Sequence, residues 1–355
     1  KPVADNLLFI TMDTTRADHL SLYGYDQPTS PELERIARRG IVFDSARSHV
    51  ASTLPAHSSM MTGQLPPTHG VRCNGVLRLP EAAVTLAERL QAAGFSTAAV
   101  VGAFPLEHRF GLAQGFEVYD DDFASSGLTA RRRAGSRDEQ GRWLGHDYPD
   151  FERSGFEVTE RAIEWLGRRG QGQEQGQEQN KQRWFLFAHY FDAHSPYEPS
   201  SEHAARFASP YDAEIASVDA EIGRLVAYAR AMPGRTLVVI TADHGEGLGE
   251  HGELEHNRFV YDATNRVPLV MVLEGAIPAA KRLATAVGHV DLFPTVLELL
   301  ALRRPEHTDG VSLAPALRRG AEPNERPQYL ETLVWSLENR HGIELRAVLD
   351  GTYKL

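Results

Sequence analysis

Cysteine is almost missing from this 355-residue chain: Cys73 is the only one. A lone thiol excludes an internal disulfide and a thiolate zinc cluster, and it leaves the compartment open. Long apolar runs are missing as well. None approaches the roughly 18 to 20 residues of a membrane-spanning helix. Basic charge is in deficit, with 37 Lys and Arg against 48 Asp and Glu, for a net charge of −11. So acidic a chain argues against sequence-independent nucleic-acid binding, which needs a basic face. There is no internal repeat and no compositional break that marks a domain boundary. Hydrophobic residues at 42% and charged residues at 24% are ordinary globular values and argue against global disorder.

What is present alternates. Apolar, strand-like runs at 6–12, 41–47, 97–102, 184–191, 236–241 and 267–273 are separated by stretches with helical spacing at 30–39, 84–90, 158–169, 211–231 and 290–300. Ser30 is a candidate N-cap before Pro31, and Gly40 stops that helix. Such alternation implies an α/β fold with a mostly parallel sheet and helices on both faces. In open sheets of this kind, sites lie beyond the carboxyl ends of the strands. Asp13, Asp192 with His194, and Asp243 with His244 follow three of the strands and are expected to converge there. Two stretches stand apart. The low-complexity segment 170–182 reads as a solvated surface loop. The polar excursion 124–155, with Arg131, Arg132, Arg133, Arg137, Arg142 and Arg153, reads as a surface insertion or as a lid over an anionic substrate.

Carboxylates suit hard divalent cations, and His adds the donor that zinc accepts. Asp13, Asp243 and His244 supply both kinds, although any one of them could instead cap a helix or close a turn. Ser52-Thr53-Leu54-Pro55-Ala56-His57 reads as a capped helix start. Free N–H groups and partial positive charge at such a start also suit an anion. A metal-bound hydroxyl there can ionise near neutral pH.

Together these segments resemble the sulfatase branch of the alkaline phosphatase superfamily. The likeness is carried by Asp13-Thr14-Thr15-Arg16, Thr53-Leu54-Pro55-Ala56-His57, His69-Gly70-Val71-Arg72, Asp192-Ala193-His194, Thr241-Ala242-Asp243-His244-Gly245-Glu246, Arg266-Val267-Pro268-Leu269 and His289-Val290-Asp291-Leu292, in that order. It implies a single catalytic domain over 1–355 with an alkaline-phosphatase-like sandwich fold, and a C-terminal end that is truncated. It also implies a periplasmic or other extracytoplasmic location, and the start at Lys1-Pro2-Val3, without Met, fits an export signal or anchor removed before it.

By position, the resemblance implies Asp13, Asp243 and His244 as metal ligands and Thr53 as nucleophile. His194 and His256 then contact the transferred group or protonate the leaving oxygen. Asn74, His57 and Arg16 fall at substrate or nucleophile contacts. Thr14 stands where many sulfatases place a second Asp. Zinc is the favoured cation, with Ca, Mn or Mg as alternatives. A second ion on Asp192, His194 and His256 is one version, because Asp192 and His194 project to one side if the segment is extended. One ion, with the two histidines as donors, is the other.

Position 53 departs from the family. Sulfatases oxidise a Cys or Ser there to formylglycine, whose second hydroxyl can expel sulfate by breaking a C–O bond. Thr53 offers no such route. Water must clear its ester by attack on the central atom, which favours phosphate over sulfate. The expected activity is therefore hydrolysis of a small anionic phosphate mono- or diester through Thr53. Sulfate ester hydrolysis, phosphotransfer to a lipid or glycan, and a non-catalytic binding role are the rivals. His251, His289, Glu246 and Glu250 are expected to act indirectly or structurally, and His69 to brace the Thr53 loop.

Overall fold

The computed structural model describes residues 4–123, 152–171, 183–304, 307–333, 344–351 and 353–355. The arginines at 131–142 and the run 172–182 lie outside these residues.

Strands β1 (Asn6–Met12), β2 (Ile41–Arg47), β3 (Ser96–Val100), β4 (Val118–Asp120), β5 (Trp184–Tyr190), β6 (Thr236–Ala242), β7 (Arg266–Val272), β8 (Lys281–Leu283) and β9 (Val287–Gly288) build the main sheet. Its order is β4-β3-β5-β1-β6-β7-β2-β8, with β9 also on β2. Pairing is parallel except where β7 runs against β6 and β2. The longer helices are α1 (Pro31–Ala37), α2 (Thr53–Thr62), α3 (Leu86–Ala92), α4 (Gly155–Gln171), α5 (Pro210–Ala231), α6 (Leu292–Leu299) and α7 (Ala314–Arg319). A separate antiparallel sheet joins β10 (Gln328–Thr332), β11 (Leu345–Asp350) and β12 (Tyr353–Lys354).

The centre of the sheet explains the apolar runs. Leu7, Leu8, Phe9 and Ile10 of β1 are all fully buried, between β5 and β6. Burying one such side chain is worth about 1.5–3 kcal/mol, so covering both faces makes the strand a fixed platform. Asp13 leaves its end, and its N–H donates to Tyr190 O at 2.8 Å.

Thr85 forms a capping box with Glu88 at the start of α3. Ser30 departs from expectation. Its hydroxyl accepts from Leu22 N–H instead of capping α1. The cap comes from α5, where Asp219 accepts from Glu32 N–H at 2.7 Å and Leu33 N–H at 2.8 Å. Arg153 is also corrected: it is a buried strut, not a lid residue. It donates to Asp120 Oδ1 at 2.7 Å and Asp122 O at 3.1 Å, joining the two borders of the stretch 124–151.

Candidate active site

Asp13 follows β1, Asp243 and His244 follow β6, and Thr53 opens α2. All four are buried at the same end of the sheet. Each acid owes its orientation to its own surroundings. Asp243 Oδ1 accepts from the N–H of His244 at 2.7 Å and of Thr14 at 3.3 Å, which leaves Oδ2. Asp13 Oδ2 faces His189 Nε2 at 3.2 Å and the Thr53 hydroxyl at 3.5 Å, which leaves Oδ1. His244 Nδ1 donates to Gly245 O at 3.0 Å, so its lone pair is on Nε2.

Asp13 Oδ1, Asp243 Oδ2 and His244 Nε2 are buried and have no hydrogen-bond partner among the described residues. Ligand atoms of the three residues lie within 4.8 Å of one another. An unpaired buried acceptor costs about 1–3 kcal/mol, more when charged. One divalent cation would satisfy all three, so the residues fit such an ion. The electrostatics agree. Burial raises the carboxyls of Asp13 and Asp243, and Asp13 raises Asp243 further. Burial alone would lower His244, but Asp243 and Asp13 outweigh it and raise the imidazole.

His57, His189 and Asp243 form a second group with metal-like spacing. Its ring nitrogens are already engaged. His57 Nδ1 donates to Thr53 O at 2.7 Å, and its Nε2 faces the Thr11 hydroxyl at 2.9 Å. His189 Nδ1 accepts from Gly102 N–H at 3.3 Å. Burial pushes His57 down to about 3 and His189 to about 4, so both rings are neutral struts.

His194 and His256 reach the same end from loops. Their ring centroids are 5.3 Å apart, and His256 is 4.4 Å from His244. His194 Nδ1 donates to Ser195 O at 2.7 Å, and His256 Nδ1 lies 3.3 Å from Glu246 Oε1. Burial lowers both imidazoles. Asn74 Oδ1 accepts from Leu54 N–H at 2.8 Å. Since Pro55 carries no N–H, this leaves Thr53 as the first-turn residue of α2 whose N–H has no partner among the described residues. The same absence explains Ser52. The third helical N–H that its hydroxyl would cap does not exist, and the hydroxyl is buried without a partner.

Four expectations change. Asp192 does not join His194 and His256. Its Oδ1 accepts from Gly155 N–H at 2.8 Å, at the start of α4. The chain turns there, with His194 N–H on Phe191 O, so alternation by two does not apply. The Arg16 guanidinium is already engaged, tied to Asp18 and Glu250 at 2.7 Å each and donating to Glu246 O at 3.3 Å. His57 is fully buried and braces the Thr53 turn, so it is not a substrate contact. The Thr14 hydroxyl donates to Ala193 O at 2.6 Å, and the residue is held at φ 48°.

Two residues were underrated by sequence. Glu246 is fully buried, with Oε1 facing His256 and Oε2 unpartnered. His189 gave no signal, because it sits inside an apolar strand; only its polarity in that run set it apart. Elsewhere, His251 stacks on Tyr261 at 3.9 Å. His289 is buried near α2, and burial holds its imidazole well below the usual range. His69 Nε2 lies 3.1 Å from Ser59 Oγ, bracing α2.

The family model Sulfatase matches residues 5–302. N-acetylgalactosamine-6-sulfatase of Sus scrofa is 27% identical over 369 residues, covering 92% of this chain and 68% of that protein. Arylsulfatase K of Xenopus laevis is 31% identical over 147 residues, 41% of this chain and 26% of that protein. The chain thus spans about a quarter of Arylsulfatase K. Among solved structures, a protein in complex with its substrate D-glucosamine-2-N,6-O-disulfate matches with a TM-score of 0.77 at 19% identity, covering 99% of this chain and 88% of that one. The phosphonate monoester hydrolase of Agrobacterium radiobacter matches with a TM-score of 0.73 at 20% identity, covering 100% and 86%. These structural likenesses bear on the fold, which is that of the alkaline-phosphatase-like sulfatases.

Proposed function

The chain belongs to the sulfatase family, and on that premise we propose that it is a divalent-cation-dependent hydrolase of phosphate mono- or diesters with Thr53 as nucleophile. One observation carries the reading. The Thr53 hydroxyl lies 3.5 Å from Asp13 Oδ2, beside three buried donor atoms that lack partners. Asp13, Asp243, His244 and Thr53 would hold the cation, zinc by preference, which supplies the positive charge that acidifies the hydroxyl and offsets charge on the ester.

The residues then divide the work. Asp13 Oδ2 receives the Thr53 proton as Oγ1 attacks phosphorus in line. The bond from phosphorus to the leaving oxygen breaks, and that oxygen takes a proton from His256 or His194, whose imidazolium form the incoming anionic ester favours against burial. The Thr53 N–H meets an equatorial oxygen. Asn74 holds the first turn of α2 in place through Leu54 N–H. Water, giving its proton back to the same histidine, attacks phosphorus; the phosphorus–Oγ1 bond breaks, and Oγ1 takes its proton back from Asp13 Oδ2. The resemblance to sulfatases would place this chemistry outside the cytoplasm.

Phosphate is preferred because a Thr ester has no second hydroxyl with which to expel sulfate. Sulfate ester hydrolysis is the second reading, favoured by the match to the pig sulfatase across 92% of the chain. Metal analysis of the purified protein, followed by assays on aryl phosphate, bis-aryl phosphate, aryl phosphonate and aryl sulfate, tests both. The expected result is bound cation with phosphate esters turned over fastest. Aryl sulfate turned over fastest would overturn the phosphate reading, and turnover of none would overturn catalysis.

A further inference from the structure

We propose that His189 is a positioning residue that sets the cation preference of the site, by denying the ion one oxygen of Asp13. The inference rests on the proposed function, since it concerns the same donor atoms. His189 is fully buried in β5 and pairs in register with Thr11 of β1, two residues before Asp13. Its Nδ1 accepts from Gly102 N–H at 3.3 Å. That contact fixes the tautomer: the ring hydrogen is on Nε2, which donates to Asp13 Oδ2 at 3.2 Å. Gly102 lies close against this strand: a Cβ there would come within 2.8 Å of His189 O. His57, 5.0 Å away by ring centroid, has both nitrogens engaged on Thr53 O and Thr11 and cannot replace this donor.

The consequence is a count of available atoms. With Oδ2 taken, Asp13 offers Oδ1 alone. Asp243 offers Oδ2 alone, because two backbone N–H groups occupy Oδ1. His244 offers one nitrogen. With the Thr53 hydroxyl, this makes a small mixed set of oxygen and nitrogen. Zinc accepts about four such donors. Calcium takes roughly six to eight oxygens and often both from one carboxylate. His189 is the group that withholds the extra oxygen of Asp13. Without its N–H, that oxygen is released and the set shifts toward what calcium accepts.

The test measures Zn2+ and Ca2+ affinity by competition with a chelating dye, for wild type, His189→Leu and His189→Gln. Wild type is expected to favour Zn2+. In His189→Leu the ratio of the two affinities should fall by about tenfold or more, the usual scale for losing a partner of a metal ligand. His189→Gln, whose amide can still donate, should keep the ratio within about threefold. A wild-type ratio retained by His189→Leu would overturn the proposal, as would an equal loss in His189→Gln. Should His189→Leu not fold, histidine 15N NMR of wild type, assigned with His189→Gln, decides the matter. Hydrogen on Nε2 with and without Zn2+ supports the proposal, and hydrogen on Nδ1 overturns it. Wild type that binds neither cation would refute the proposed function itself, and this assignment with it.

Discussion

Asp243→Asn should reverse the stability order of mutant and wild type, depending on whether a cation is present. The amide oxygen can keep both bonds that Asp243 Oδ1 accepts, from His244 and Thr14. The amide nitrogen then stands where Oδ2 has no partner, close to the orphaned Asp13 Oδ1 and His244 Nε2. In chelator, two buried acids with ligand atoms within 4.8 Å become one acid facing a donor. At an effective dielectric near 20, the relieved repulsion is about 3 kcal/mol when both acids are ionised. Burial already raises both carboxyls and relieves part of it, so a gain of about 1–3 kcal/mol is expected. Cation at a thousandfold its dissociation constant should add about 4 kcal/mol to wild type and little to the mutant. For a chain of this length, about 4 kcal/mol corresponds to a Tm shift of roughly 5 °C. Thermal and urea melts in EDTA and in excess Zn2+, Mn2+ or Ca2+ would show the crossing. A mutant less stable than wild type in EDTA, or one with the full cation shift, would refute the reasoning.

Thr53→Val keeps the shape and removes the hydroxyl; turnover should fall by about 10³-fold or more with an unchanged Tm. Turnover within tenfold of wild type would reject Thr53 as nucleophile. His69 is held neutral by burial, at about 3, and its Nδ1 accepts from Val71 N–H. Because the unfolded state binds that proton first, stability should be full above about pH 6.5 and fall by up to about 1.4 kcal/mol per unit as pH drops toward 3. Urea midpoints for wild type and His69→Gln between pH 7 and 5 should show a shallower slope in the mutant, and equal slopes would exclude this source. Asp219→Ala removes both N–H acceptors at the start of α1 and should cost about 1–2 kcal/mol in urea unfolding. An unchanged midpoint would mean that water replaces the cap.

The α/β alternation was legible because buried parallel strands show as unbroken apolar runs, as Leu7–Ile10 does. Asp13, Asp243 and His244 were visible for a related reason: charge directly after such a run has no packing use. Local rules failed where partners came from far along the chain. Ser30 looked like a cap, but Asp219 supplies it. Arg16 looked free for an anion, but Asp18 and Glu250 occupy it. Asp192 was misread because the alternation rule was extended past Tyr190, where the strand ends. His189 was hidden by its apolar neighbours, since nothing in a strand's period tells which polar residue will meet Asp13.

Arg153 has a consequence for how this scaffold can vary. By clasping Asp120 and Asp122, it ties the exit and re-entry points of the stretch 124–151 to the rim of β4. Whatever length of chain hangs from such a clasp, the sheet beneath receives the same two ends. Doubling the number of residues between two fixed ends adds only about 0.6 kcal/mol of closure entropy. That border is therefore a natural splice point, where lineages or engineers could exchange whole segments while the sheet end that carries Asp13 and Asp243 keeps its shape.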